Sequence, residues 1–199
     1  MRIIEKNSDI EKKINSLIAG QVNSLIKKKK QAIRLKIISI IESRLSSSLT
    51  LALLSSGVLK YDFGLEFDPS PAIINAVANS VTLGISNADR RFKNQTLITL
   101  YIQPSNYNNL LTLSIAEQDI KGGTIPWLEW LLLRGDEIII YDYSVEYGPY
   151  GRSGGARMEP GGFFRVNPIY SGTADDNFIT RIIAQASNDI VKAIEEGLK

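Results

Sequence analysis

Hydrophobic residues recur at every third or fourth position along the first quarter of the chain. The series begins at Ile10, is crossed by four lysines at residues 27–30, and continues to Leu54, with Gly57 behind it. This spacing predicts an amphipathic helix, which would be about 70 Å long if unbroken, at about 1.5 Å per residue. A compact domain of this size cannot enclose that length. We therefore expect either a break, at Gly20 or at the lysines, or a helix that projects and packs on neighbours.

The middle of the chain carries weaker patterns. Apolar side chains at alternate positions of residues 58–67 predict a strand, with a bend at Gly64. A short helix with Pro71 at its first position is predicted to follow. Residues 96–102 are rich in β-branched side chains and predict a second strand. Residues 106–120 fit both the helical and the strand spacing, so their structure stays open.

The clearest pattern begins at Pro126, which is predicted to start a helix. This helix carries both tryptophans of the chain, Trp127 and Trp130, on one face, and we expect the two rings to be core rather than a ligand platform. An alternating strand is predicted for residues 137–147. Six glycines follow within residues 148–162 and predict a long loop at the tip of a hairpin.

The last element is predicted to be a helix with regular spacing of three and four residues. Thr173 or Asp175 is expected to cap it, and Gly197 to end it. These elements predict an α+β fold with a long N-terminal helix, a mostly antiparallel sheet with a long glycine-rich hairpin loop, and a C-terminal helix packed on the sheet. The chain is expected to divide into an N-terminal helical region, residues 1–57, and an α+β domain, residues 58–199.

Composition narrows the chemistry that such a fold could carry. The 199 residues include no cysteine and no histidine. This excludes disulfides, thiolate zinc sites and cysteine nucleophiles, and it removes the commonest metal ligand and the usual general base. No catalytic, cofactor-binding or metal-binding residue is therefore predicted, and an enzyme that relies on carboxylates alone has no motif to support it.

Charge and hydropathy limit the partners in the same way. The formal net charge is only +2, whereas a nucleic-acid-binding domain usually has a strongly basic face. The four adjacent lysines are most simply a solvated face of the helix, and a phosphate-binding patch is the sharper alternative. No run of about 18 uncharged apolar residues occurs, so no membrane span is expected. We expect the protein to stay in the cytoplasm or in a particle assembled there.

The glycine-rich loop has three interpretations. It lacks both G-x-x-x-x-G-K-[ST] and G-x-G-x-x-G before a helix, so a nucleotide site is the weakest. A flexible hairpin tip is the plainest. We favour an ordered loop that reaches a neighbouring subunit, because long loops in compact domains are uncommon unless they have a function, and because guanidinium groups pair with carboxylates in a fixed geometry. The predicted interface residues are Arg152, Arg157, Arg165, Tyr147 and Tyr150.

Part of the chain also resembles a known family. The pieces that carry the likeness are residues 127–133 with Gly135, residues 151–154, residues 165–166 with Pro168, and residues 172–181. They lie within residues 122–185, about a third of the chain. These pieces are similar to the tail-completion or head–tail connector proteins in the neck of long-tailed bacteriophages. The N-terminal 90 residues carry no such likeness.

The resemblance implies a virion protein with a connector-like domain in residues 58–199 and no catalytic residue. Members of that family form rings of identical subunits that join the portal side of the head to the tail tube. The implied partners are identical subunits and neighbouring neck or tail proteins, with DNA passing through the ring but not tightly bound. No cofactor and no membrane are implied. The particular ring and its subunit number stay open.

Two other functions also stay open. The chain could be a nucleic-acid-associated basic protein whose lysine run and arginine loop bind phosphates, or a structural component of a baseplate. Binding to phosphates weakens steeply as salt is added, whereas a packed protein interface does not. Salt dependence therefore separates the first of these alternatives from a ring-forming structural protein.

Overall fold

The computed structural model describes residues 7–87, 97–120 and 123–199, and it confirms the predicted α+β class. Its first element, α1, is one unbroken helix, Asn7–Ser46, about 60 Å long at about 1.5 Å per residue. Neither Gly20 nor the lysine run interrupts it. The break comes later, at residues 47–48, before a second helix, α2 (Leu49–Ser56).

The described part of the chain contains no single helix that is long and apolar enough to cross a membrane. The pair α1 and α2 passes that test together, by length and composition only, and the two helices are bent by 56° where they meet.

The strand predicted for residues 58–67 is wrong, because this segment begins with a helix, α3 (Val58–Phe63). Leu59 and Phe63 are both buried, and their separation of four residues places them on one face of a helix as well as on one face of a strand. Gly64 decides between the two. With φ of 66°, its backbone N–H donates to carbonyls of the preceding turn and closes the helix.

The next helix and strand lie where the pattern predicted them. Helix α4 is Ser70–Ser80, with Pro71 in its first turn. Strand β2 is Ile98–Tyr101, within the predicted residues 96–102, of which residue 96 lies outside the described residues. Its antiparallel partner, β1 (Thr82–Ile85), was not predicted.

The ambiguous residues 106–120 contain one of each kind of element. A single helical turn, α5 (Asn108–Leu111), is followed by strand β3 (Gln118–Ile120). β3 pairs antiparallel with β4 (Gly123–Ile125). The predicted tryptophan helix then follows as α6 (Trp127–Leu133), directly after Pro126.

The predicted hairpin is present, but its loop is much shorter than expected. Strand β5 (Ile140–Tyr147) pairs antiparallel with β6 (Ala156–Phe164), so residues 148–155 alone form the loop. Gly161 and Gly162 lie inside β6 with φ of 105° and 83°. They stand opposite an irregularity between Tyr141 and Tyr143. Glycine tolerates positive φ, which such an irregularity requires.

The C-terminal helix, α7 (Phe178–Leu198), is confirmed, but Thr173 and Asp175 do not cap it. Asn177 does: its side chain accepts hydrogen bonds from the backbone N–H groups of Ile179 and Thr180, and the Thr180 hydroxyl accepts from the Asn177 N–H. The reciprocal arrangement is a capping box.

Helix α7 packs chiefly along the second half of α1, and the two run antiparallel. Ile33 lies beside Gly197 near the C-terminal end of α7. Farther along, Lys36 pairs with Glu196, and Arg44 pairs with Asp189 at 2.5 Å. One cluster of buried side chains joins this helix pair to α2, α3, α4, α6 and the hairpin, so residues 1–57 and residues 58–199 share a core.

Candidate subunit-contact surface

The hairpin of β5 and β6 is fixed to the core through one aromatic side chain. Phe164 is buried, 6.4 Å from Phe63 of α3 and 6.1 Å from Trp130 of α6 between ring centroids. Trp127 is fully buried beside Phe63, and its indole N–H donates to the Ile115 carbonyl at 2.6 Å. The tryptophan helix is therefore part of the core, as predicted, and its Trp130 contacts the hairpin at Phe164.

The rest of the hairpin presents large side chains outward. Tyr141 and Phe163 stand opposite each other in the strand pairing, and their side chains are 68% and 51% exposed. Tyr143, Tyr147 and Met158 are exposed as well. Tyr147 bonds to α3 and Met158 lines a groove beside it, so we call Tyr141, Tyr143 and Phe163 alone the hairpin face. Isolated exposed hydrophobic residues are ordinary on protein surfaces, but a group of them on one element indicates a contact site.

The hairpin is also open at its edges. Within the residues that the structure describes, β5 and β6 form a two-stranded sheet, and no third strand pairs with either of them. A two-stranded hairpin has little stability of its own, and unpaired strand edges offer N–H and C=O groups to another chain. Unpaired backbone groups at the strand edges are therefore available for contact, in addition to the side chains of the hairpin face.

Tyr147, one of the predicted interface residues, fastens the hairpin to α3. Its hydroxyl donates to Asp62 Oδ1 at 2.5 Å. Burial raises the pKa of Asp62, although the hydrogen bond from Tyr147 opposes this. The pKa of Tyr147 is also raised, by burial of the hydroxyl and then by the adjacent Asp62 carboxylate. Both pKa values are therefore shifted in the direction that favours the protonated form of each group.

Arg152 is directed back into its own chain. Its Nη1 donates to the Asp119 carbonyl of β3 at 2.7 Å, and a Cβ added at Gly64 would lie 3.1 Å from its Nη2. The side chain thus connects the hairpin loop to β3 and to the end of α3. It contributes to holding the loop in place, which is a role that the sequence did not predict.

Arg157 is likewise satisfied within the hairpin. Its Nε and Nη2 each donate to Glu146 Oε2 at 3.1 Å, and Nε lies 2.5 Å from Glu159 Oε1. Its guanidinium also stands 4.5 Å from the centroid of the Tyr150 ring. The hydrogen bonds to Glu146 are the main reason that the pKa of Arg157 is raised. A carboxylate of another subunit would have to share Arg157 with Glu146 and Glu159 or displace them.

Arg165 differs from the other two arginines. Its guanidinium stands 5.9 Å from the centroid of the Phe163 ring, and among the described residues it forms no ion pair with a carboxylate. It lines a groove of about 370 Å³ between the hairpin and α3, together with Asp62, Tyr147, Phe163 and Pro168. Of the three predicted arginines, Arg165 is the one best placed to meet a carboxylate of another molecule.

The loop of residues 148–155 is packed closely against the rest of the chain. A Cβ added at Gly155 would lie 2.3 Å from the Tyr61 ring, and one added at Gly151, whose φ is +74°, would lie 1.9 Å from the Ala156 carbonyl oxygen. Two of the glycines therefore permit close contacts. The predicted subunit contact of this loop remains a prediction, but glycine content alone does not make it loose.

Sequence reasoning missed most of the side chains that shape this surface. Asp62 and Tyr61 were placed in a strand, and Glu146 was not considered as the partner of Arg157. Phe163 could have been found, because successive residues of a strand point to opposite faces, so Phe163 and Phe164 cannot both face the core. Tyr141 could not, because the alternation places it in the apolar phase with Tyr143 and Val145.

The lysine run behaves as the plainer interpretation expected. Residues 27–30 lie in α1, where successive residues are about 100° apart around the axis, so the four side chains point in all directions rather than along one stripe. Within the described residues, no group of three or more carboxylates or other metal-ligating side chains is placed to hold a metal ion.

The site just described cannot be compared with that of a relative. Searches against protein-family models, curated proteins and solved structures found no match for this chain.

Proposed function

We propose that this protein is a non-enzymatic structural component of a bacteriophage particle. In this proposal identical copies form a ring at the head–tail junction, as a neck connector or as a tail-completion or terminator protein. The family resemblance of residues 122–185 motivates the proposal, and the hairpin face is the observation that carries it. An exposed apolar surface on an open-edged hairpin has the properties of a subunit contact.

The residues that resemble the family serve to build a scaffold. Residues 127–133 form the helix under the hairpin. In residues 172–181, the Gly135 N–H donates to the Gly172 carbonyl at 2.9 Å, Asn177 caps α7, and Arg181 forms two hydrogen bonds with Asp176 at 2.6 and 3.0 Å. These contacts hold the helices and the hairpin in place. They favour a protein that presents a surface over one that performs a reaction.

The ring would be closed by contacts between two different patches, the hairpin face of one subunit and another surface of the next. Such head-to-tail contacts generate a ring when the rotation between subunits closes. Arg165, at the margin of the hairpin face, would add a charged contact at the rim. The core of the contact would be aromatic, as is common for protein interfaces.

The test compares the oligomeric state of matched variants of the full chain. Tyr141→Ser with Phe163→Ser removes the centre of the hairpin face. Leu49→Ser with Ile169→Ser removes two side chains of similar exposure elsewhere, which are 66% and 73% exposed. We expect rings of the parent and of the control in negative-stain micrographs and sedimentation, and loss of rings in the hairpin variant with an unchanged thermal melt.

Two outcomes would overturn the proposal. If the hairpin variant assembles as well as the parent, the hairpin face is not the contact. If the parent forms no ring but binds duplex DNA with an affinity that falls steeply between low and moderate salt, the nucleic-acid-associated alternative replaces it.

A further inference from the structure

Helix α1 has two apolar faces, and the core covers one of them. The covered face consists of Ala19, Ile26, Ile33, Ile37, Ile41 and Leu45. A second set of large apolar side chains of α1 is exposed. The five in its N-terminal half, which we call the α1 stripe, are Ile10, Ile14, Leu17, Ile18 and Leu25, and Leu35 lies on the same side farther along the helix. At about 100° per residue the stripe lies on roughly the opposite side of the helix. A helix that is apolar on opposite sides is normally buried on both.

The neighbouring helix does not extend to the stripe. Helix α7 packs on the covered face of α1 and ends beside Ile33, where Gly197 contacts that face. The stripe lies on the other side of α1 and N-terminal to this point. Leu17, at the centre of the stripe, is 70% exposed, so it can contact another molecule.

Four of the five stripe residues are symmetric about a single point. Ile10 and Leu25 are equidistant from the midpoint between Leu17 and Ile18, whereas the counterpart of Ile14 is the polar Gln21. A two-fold axis through that midpoint would therefore set each position of one helix against its counterpart in a second, antiparallel copy. Self-complementarity of this kind is what a two-fold contact requires.

Charge favours the antiparallel arrangement over the parallel one. A parallel pair would place the two runs of lysines, residues 27–30, side by side at the spacing of packed helices, about 8–10 Å. Antiparallel pairing about the midpoint moves the two runs roughly 30 Å apart, well beyond the screening length of about 10 Å at 0.1 M salt.

Opposite charges also meet along the flank. Glu11 and Lys29 are separated by five helical turns, so they lie on the same side of the stripe. Antiparallel pairing brings equivalent flanks of the two copies together, and Glu11 of one copy then lies toward Lys29 of the other. This pairing is exposed and adds direction more than strength.

We propose that the α1 stripe is a self-association surface, on which a second copy of this chain packs with its α1 antiparallel and with the two-fold axis between Leu17 and Ile18. The contact is small, so pairing depends on protein concentration. It does not rest on the proposed ring, because it uses no residue of the hairpin face.

Cysteine crosslinking of the full chain tests this directly, since the chain has no cysteine of its own. Under mild oxidation Leu17→Cys should give a covalent dimer, because the two introduced thiols lie beside the axis. Leu25→Cys should not, because its two copies lie roughly 22 Å apart, far beyond disulfide reach. The double variant Ile10→Cys with Leu25→Cys should crosslink again. We expect on the order of tenfold more dimer for Leu17→Cys than for Leu25→Cys.

Equal crosslinking of Leu17→Cys and Leu25→Cys would overturn the antiparallel arrangement. Absence of crosslinking in all three variants would overturn self-association and leave the stripe to a different partner. Repeating the experiment with Tyr141→Ser and Phe163→Ser separates this inference from the proposed ring, since the crosslinked pair should persist when the hairpin face is removed.

A charge substitution provides a second measurement. Leu17→Glu should lower the fraction of paired copies in sedimentation at a given concentration, whereas Val191→Glu, at a site on α7 that is 52% exposed, should leave it unchanged. If both variants pair as the parent does, the α1 stripe is not the contact.

Discussion

The β5–β6 hairpin and helix α7 follow one another in the chain, yet they differ in where their apolar side chains find contacts. The apolar face of α7 is buried, mainly against α1, and polar side chains along its flank pair with α1. The hairpin buries Phe164 and leaves Tyr141, Tyr143 and Phe163 exposed. The apolar face of α7 is therefore covered within the chain, whereas the hairpin leaves apolar side chains exposed.

Substitution of two adjacent phenylalanines, Phe163 and Phe164, should show the largest difference in folding stability between a buried and an exposed side chain of the hairpin. Phe164→Ala removes a ring packed between Phe63 and Trp130, and we expect it to lower the free energy of unfolding by about 3–5 kcal/mol. Phe163→Ala changes an exposed ring and should lower it by no more than about 0.5 kcal/mol. Urea denaturation of the isolated subunit measures both.

The proposed ring assembly should depend on Phe163, the residue that matters less for folding stability. Phe163→Ala should weaken ring formation although the subunit stays folded. A large loss of folding stability in Phe163→Ala would contradict the comparison, because the exposed side of the hairpin would then belong to the subunit's own core.

The cap of α7 gives the next effect. Asn177 is buried, accepts from two backbone N–H groups, and donates to the Tyr107 hydroxyl at 2.7 Å and to the Thr173 carbonyl at 2.9 Å. We expect Asn177→Ala to lower the free energy of unfolding by about 2 kcal/mol. Asp175→Ala, at an exposed position that the sequence had suggested as a cap, is the control and should have little effect. Equal losses from both substitutions would show that the cap is misassigned.

The smallest effect concerns the contact between Tyr147 and Asp62. Burial raises the pKa of Asp62, so the folded state holds a proton on this carboxyl more tightly than the unfolded state does. The contribution of this group is most favourable at acid pH, below the usual carboxyl range, and is lost as pH rises through the raised pKa. Asp62→Asn keeps an oxygen that can accept from Tyr147 and removes the charge.

We therefore expect Asp62→Asn to be more stable than the parent at neutral pH, with the difference shrinking as pH falls toward 3.8, the ordinary pKa of an aspartate. Thermal melts at several pH values measure this. A variant less stable than the parent at neutral pH would mean that the ionised carboxylate is the form that holds the hairpin. Burial would then not be the main influence on the stability of this contact.

Elements whose spacing is unambiguous were predictable from the sequence. The long N-terminal helix, the tryptophan helix, the hairpin and the C-terminal helix were expected and are present, because each carries many residues in one period or a clear terminal signal. Trp127 as a core residue followed from the same pattern. The α+β class was therefore set by local sequence alone.

Segments that satisfy two patterns were decided by tertiary structure. Leu59 and Phe63 suit a strand and a helix equally, and as a helix the segment buries both of them in the shared core. The glycines of residues 148–162 could have formed one long loop, yet the pairing of β5 with β6 placed two of them inside a strand. The number of glycines indicated that the backbone could adopt positive φ in this segment, but not at which residues it does so.

The sequence by itself determined the elements that have one clear period or terminal signal, because periodicity and capping act between residues a few positions apart. It also led to the prediction that arginines and tyrosines of the hairpin form a subunit interface. Tertiary structure alone decided their partners: Arg152 contacts β3, Arg157 contacts Glu146 and Glu159, and Tyr147 contacts α3. Contacts between residues as distant as Asp62 and Tyr147 depend on how whole elements pack, and no local pattern in the chain records that arrangement.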